Sequence, residues 1–235
     1  MRPPSTLKLE GRVAVINALE ETAQRTQAAS GAVWEYQSTK LATSPNTTYH
    51  FRAVASNARG IRYGADQLFE TPFSLVLVAG WNLVTPGMNI ALDPPQVFGD
   101  GYMVAYSWNA TQGTYFVPTN LEAGIGYWVK MALDKTVTLT GSVAPSPFET
   151  ELSMSWNMVG NPFITSLHWS DVIVRKGLEA KNPAEAKTAG WIGPAFSWDG
   201  AVYSMADFVN GDVLAGKGYW IKAMADGLSL LLTRP

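Results

Sequence analysis

The sequence predicts an all-β chain, and three observations carry that prediction. Charged residues make up only 15% of the 235 positions, while hydrophobic ones reach 47%. Gly (21), Pro (14), Trp (9) and Tyr (9) are frequent, the mixture of turn formers and strand-favouring aromatics that short, tightly connected strands use. One aromatic pattern also occurs twice in the same order: GWNLV (80–84) and SWNMV (155–159), SWN (107–109) and SWD (197–199), GYWVK (126–130) and GYWIK (218–222). Ordered recurrence of three anchors marks an internal duplication.

Several function classes fall away on composition. A net charge of -2 with no dense Lys/Arg run removes the long-range attraction to phosphate that nucleic-acid binding uses. No apolar run approaches the roughly 20 residues that span a bilayer, and Ser74 to Gly80 (SLVLVAG) has the length of a buried strand. The expected partners therefore include neither nucleic acid nor membrane. With no cysteine, disulfides, thiolate zinc sites and cysteine nucleophiles are excluded, and no motif calls for a cofactor or a metal. Met1 to Glu10 lacks a signal-type apolar segment, which leaves two expectations: a cytoplasmic protein, or a piece of a longer exported one.

Taken in order, the chain divides near Pro72 into a module over 1–72 and a domain over 73–235. In the first, Ser44 to Gly60 (SPNTTYHFRAVASNARG) alternates through Tyr49, Phe51 and Val54, a half-buried strand closed by Asn57 and Gly60. A second strand at Gln67 to Glu70 completes a hairpin before Thr71-Pro72. Asn17 to Ser30 reads as helix or loop. Pro45, Thr47, Tyr49, Asn57 and Gly60 resemble the Pro-x-Thr-x-Tyr…Asn-x-x-Gly pattern of fibronectin type III domains, and Val33-Trp34-Glu35-Tyr36 is similar to that family's central strand. The resemblance covers about residues 31–72. It implies a shortened sandwich in which Tyr49 is the corner tyrosine, and a spacer role in a multidomain exported bacterial protein at the cell surface.

In the second, the repeated anchors define copy one (73–144) and copy two (145–235), joined by the Pro-rich Ser142 to Thr150. Trp108 and Trp128 are 20 positions apart and Trp198 and Trp220 are 22, whereas Trp81 to Trp108 is 27 and Trp156 to Trp198 is 42. Copy two thus carries an insertion between Asn161 and Gly193, with one short helix at Asn182 to Ala189, where Asn-Pro supplies the start. Each copy reads as four or five strands, with turns at Asn109–Gly113, Glu122–Gly126, Asp199-Gly200 and Asn210–Asp212. About seventy residues bury an apolar face poorly, so the pair is expected to share one core as a pseudo-twofold barrel or sandwich.

Strand alternation puts Tyr127 and Val129 on one face of GYWVK and Trp128 and Lys130 on the other, and likewise in GYWIK. Trp128 and Trp220 are either platforms for sugar rings or rings packed under lysine stems, and their recurrence favours packing. Aromatics where the copies differ make the better ligand candidates: Trp191, Trp169, Phe196 and Trp198 in or beside the insertion, and Tyr102 in copy one, with Trp191 expected to stand open between Gly190 and Gly193. For catalysis, His168 with Asp171 or Asp199 offers a hydrolase alternative acting on an ester, lactone or glycoside. Asp199, Asp212 and Asp100 each adjoin a glycine, however, which turns require anyway. Gly211 to Gly218 (GDVLAGKG) imitates a phosphate loop but lacks its Ser/Thr and precedes a strand. The sequence therefore points to a non-catalytic accessory region binding polysaccharide or a cell-surface partner, with self-association as a purely structural alternative.

Overall fold

The computed structural model describes residues 72–235 throughout and, before them, 6–7, 48–51, 54–57 and 60–70. The chain forms two compact units, Met1–Thr71 and Pro72–Pro235, and is all-β, with antiparallel sheets and short helices.

The first unit contains β1 (Thr6–Leu7), β2 (Thr48–Phe51), β3 (Val54–Asn57), β4 (Gly60–Tyr63) and β5 (Gln67–Glu70). The expected pairing with Gln67–Glu70 is made by β2 alone. Val54–Asn57 is a separate strand that pairs with Gly60–Tyr63, Asn57 opposite Gly60, giving the sheet order β1-β3-β4. The segments 17–30 and 33–36 and the corner role of Tyr49 lie outside the described residues.

The second unit opens with β6 (Phe73–Leu77), β7 (Gly80–Val84), α1 (Pro94–Phe98), β8 (Tyr102–Asn109), β9 (Thr114–Phe116), β10 (Tyr127–Met131) and β11 (Lys135–Leu139). It continues with β12 (Phe148–Leu152), β13 (Ser155–Gly160), β14 (Leu167–His168), β15 (Ile173–Lys176), β16 (Glu179–Lys181), α2 (Pro183–Thr188), β17 (Ile192–Trp198), β18 (Tyr203–Met205), β19 (Asp212–Val213), β20 (Gly218–Ala223) and β21 (Leu228–Leu232). Two four-stranded sheets have the same plan, β7-β10-β8-β9 in the N-terminal half and β13-β20-β17-β18 in the C-terminal half. Behind each lies a second sheet, β6 with β11 in one half and β12-β21-β15-β16 in the other.

The inserted segment thus extends the second sheet of the C-terminal half by the hairpin β15–β16 and packs α2 beside it. Asn182 and Glu185 close a reciprocal capping box at the start of α2, where the sequence places the helix. Helix α1 escaped the sequence reading, although Asp93, whose carboxylate accepts the Gln96 N–H at 2.9 Å, and Pro94 are ordinary start signals.

The hydrophobic interior is two bodies, which corrects the expectation of one shared core. One cluster lies between β6–β11 and the first four-stranded sheet and includes Leu77, Val129, Met131 and Phe98; the other includes Ile221, Leu228, Val174 and Trp169. Each half closes its own sandwich, because every four-stranded sheet has a private second sheet to cover its inner face. The halves still trade side chains: Ile164 enters the first cluster, and Ala123 and Ala144 enter the second.

The recurring anchors each have a local physical cause. In GWN and SWN the asparagine fastens the turn before it. Asn82 accepts the Val78 N–H at 2.9 Å and donates to the Val78 carbonyl at 2.8 Å, and Asn157 does the same with Ser153 at 2.9 and 2.8 Å. The first residue of the anchor sits at positive φ, +98° for Gly80 and +86° for Ser155, a conformation glycine adopts freely and serine does not. In GYW the tyrosine is 3% exposed in both halves, and its hydroxyl accepts a turn N–H, Glu122 to Tyr127 at 2.8 Å and Leu214 to Tyr219 at 2.9 Å. Burial pushes both phenols up to about 12. The glycine of GYW is where the other half comes close: a Cβ on Gly126 would lie 2.7 Å from Met158 Cγ, and one on Gly218 3.0 Å from the Val84 carbonyl.

Candidate functional site

The outer faces of the two four-stranded sheets carry the aromatic residues. Opposed residues of an antiparallel pair share a face. Trp81 opposite Lys130, Trp128 opposite Tyr106, and Trp108 opposite Tyr115 therefore stand together on the first sheet. On the second, Trp156 is opposite Lys222, Phe196 opposite Trp220, and Trp198 opposite Tyr203. Their strand neighbours Tyr127, Val129, Tyr219 and Ile221 point into the cores.

The two faces meet reciprocally. The Trp108 indole N–H donates to the Trp156 carbonyl at 2.8 Å, and the Trp198 indole N–H donates to the Trp81 carbonyl at 2.9 Å. The backbones join the same way, through bridges Val84 to Lys217 and Ile125 to Val159, with the Thr85 N–H on the Gly216 carbonyl at 3.1 Å and the Gly160 N–H on the Gly124 carbonyl at 2.9 Å.

A continuous aromatic belt results. From Phe196 it passes through Trp156, Trp220, Trp108, Tyr115, Tyr106, Trp81, Trp128 and Trp198 to Tyr203, with every successive pair of ring centroids between 4.9 and 6.4 Å apart. Most contacts are edge-to-face, the arrangement ring quadrupoles favour. None of the ten residues is fully buried, and Tyr115 and Tyr203 are 51% and 53% exposed. Part of the belt opens as a pocket of about 430 Å³ lined by Trp108, Tyr115, Trp156, Phe196, Tyr203 and Trp220, a size within the usual range of small-ligand sites. Both halves contribute to its wall. Lys222 Nζ lies 5.9 Å from the Trp156 ring, and Lys130 Nζ takes the corresponding place 5.6 Å from Trp81.

The aromatics singled out from sequence separate into two groups. Phe196 lines the pocket and Trp198 belongs to the belt, whereas Tyr102 stacks on Phe98 at 5.9 Å, away from both. Trp169 is 2% exposed, with its ring 5.0 Å from Phe208 and 5.2 Å from Tyr219, so it is core. Trp191 is 7% exposed rather than open: the hairpin β15–β16 brings Lys176 and Lys181 over its ring at 5.8 and 4.9 Å. Trp108, Trp156 and Tyr203 were passed over. Strand alternation set Trp128 and Trp220 on the face opposite Tyr127 and Tyr219, but nothing local in the sequence shows that the two tryptophan faces meet.

His168 is exposed, and its Nδ1 lies 2.6 Å from the carboxylate of Asp212, the residue opposite it on β19. Asp171 ends the 3-10 turn Trp169–Asp171 that follows, and Asp199 sits at the β17–β18 turn. The Asp199 carboxylate accepts the backbone N–H of Val202 and Ala201, which holds its pKa below the ordinary range, and Val209 and Asn210 do the same for Asp207. Both aspartates serve their own turns. The stretch 211–218 is a strand, a turn and the start of another strand, with no helix to cradle a phosphate. Among the described residues no group of His, Asp and Glu could hold a metal ion, and no helix is long and apolar enough to cross a membrane.

Comparison with protein-family models, with curated proteins and with solved structures finds no match to this chain.

Proposed function

We propose that residues 73–235 are a duplicated, pseudo-twofold β-domain that binds glycan through the aromatic face, and that the chain serves as a non-catalytic region of a longer exported bacterial protein, with the fibronectin-like segment as spacer. The observation that carries this reading is the open aromatic pocket between the halves. Rings needed only for packing are best buried, because apolar area left in water forgoes about 25 cal/mol per Å². A well-formed apolar pocket edged by a few polar groups is the usual form of a small-ligand site. Sugar rings suit this surface: their C–H faces stack on aromatic planes, while their hydroxyl edges meet the Tyr115 and Tyr203 hydroxyls and the Lys222 ammonium at the rim.

Retention on a panel of soluble and insoluble polysaccharides tests the proposal. Removing a central aromatic anchor costs about 2 kcal/mol or more, so Trp220→Ala should weaken retention roughly thirtyfold while the protein stays folded by circular dichroism. Absence of retention on any polysaccharide or cell-wall preparation, or retention unchanged in Trp220→Ala, refutes it. Concentration-dependent self-association in light scattering without glycan retention would favour an assembly role instead.

A further inference from the structure

The pocket draws on part of the belt and includes Tyr203, the last ring of the series. Outside its lining, Trp81, Trp128, Tyr106 and Lys130 hold the places that Trp156, Trp220, Phe196 and Lys222 hold beside the pocket, by the same strand pairings. Trp198 and Tyr203 reach this second cluster from the C-terminal half as Trp108 and Tyr115 reach the pocket from the N-terminal half, with Trp128 ring contacts at 5.8 and 6.3 Å, and Tyr203 lines the pocket as well. Tyr115 connects the two clusters, 6.3 Å from Trp220 and 6.1 Å from Tyr106, and is half exposed. A ligand can therefore pass from one cluster to the other without leaving aromatic surface. Each cluster carries one ammonium group, Lys222 on Trp156 and Lys130 on Trp81, and Lys217 donates to the Trp198 carbonyl at 3.2 Å.

We infer that the aromatic face is a two-subsite groove for an acidic polysaccharide chain, with the second subsite at Trp81, Trp128 and Lys130. The inference rests on the glycan reading above and adds chain length and charge to it. A single sugar reaches one cluster. A longer chain engages both, and its second contact is intramolecular, so affinity rises steeply once the chain spans the belt. Uronate or sulfate groups projecting from rings stacked on Trp156 and Trp81 meet the ammonium groups of Lys222 and Lys130. Those ammonium groups also lie against a ring face, where the negative quadrupole of the indole holds them in place. A neutral chain gains the stacking alone.

The test is a calorimetric titration of the whole chain with oligouronates of increasing length and with the same oligomers after carboxyl reduction. Wild type should bind long oligouronates roughly tenfold or more tightly than short ones. In Trp128→Ala that gain should vanish, leaving long and short oligomers bound with similar affinity. The Lys130→Met/Lys222→Met double variant should bind the oligouronate no better than its reduced form. If affinity does not depend on length, or the gain survives Trp128→Ala, the second subsite is refuted and the single pocket stands. If reduced and acidic oligomers bind wild type equally, or the preference survives the lysine substitutions, the assignment of an acidic chain is refuted and the glycan reading stands. Failure to bind any oligosaccharide refutes both proposals.

Discussion

The two buried tyrosines of the GYW anchors give the fold a specific response to alkali. Both phenols are raised from about 10 to about 12, burial being the first cause. Such a tyrosine holds its proton more tightly in the folded than in the unfolded chain. Its contribution is therefore fully present below about pH 10 and is lost as the pH rises through 12. Over those two units each tyrosine withdraws about 2.7 kcal/mol, of which about 1.4 kcal/mol has gone at pH 11. The hydroxyls also accept the Glu122 and Leu214 N–H groups, so Tyr→Phe removes an acceptor worth about 1 kcal/mol at neutral pH. Urea unfolding followed by far-ultraviolet circular dichroism, on wild type and on Tyr127→Phe/Tyr219→Phe between pH 8 and 11.5, separates these effects. Every other ionisable group is common to both proteins and cancels in the comparison. Wild type should lead by about 2 kcal/mol at pH 8 and fall behind near pH 11. A gap that stays constant across the window would refute the assignment of these tyrosines as buried, proton-holding groups.

Other perturbations test the anchors individually. Asn157→Ala, at a residue 5% exposed that holds both the N–H and the carbonyl of Ser153, should cost about 2–3 kcal/mol in urea unfolding. Gly160→Ala would drive a methyl into the fully buried Thr85 side chain and should cost about 1–3 kcal/mol in urea unfolding, a cost that adding Thr85→Ala should leave largely in place because the closest atom is Thr85 Cβ. Ser155→Gly, at φ +86°, should raise stability by up to about 1 kcal/mol, whereas Gly80→Ser at the corresponding turn should lower it by a similar amount, both read as shifts in melting temperature.

What the sequence displayed well was strand chemistry. Period-two alternation set Tyr127 and Tyr219 on the face opposite Trp128 and Trp220, the structure shows the tyrosine face to be the buried one, and the Asn-Pro start placed α2. These are properties of a few adjacent residues. What it hid depends on contacts between residues far apart in the chain. Trp191 looked open because glycines flank it, yet β15 and β16 fold their lysine stems over its ring. The pocket joins Trp108 to Trp156, 48 positions away, and no local pattern announces that partnership. The two cores were missed for a similar reason. Whether the halves share an interior depends on which face of each sheet receives a private cover, and alternation marks two faces without saying what covers either.

The reciprocal indole bonds of Trp108 and Trp198 have an architectural consequence. Each half gives the other what it receives, which is the contact pattern of an isologous dimer, here drawn within one polypeptide. The connector through Ser142 to Thr150 replaces a bimolecular encounter with a tethered one, at an effective concentration in the millimolar range for a short link. Association no longer depends on how much protein is present. The junction can then be held by a few paired bonds and loosely stacked rings, and one half is free to acquire a hairpin and a helix that the other lacks.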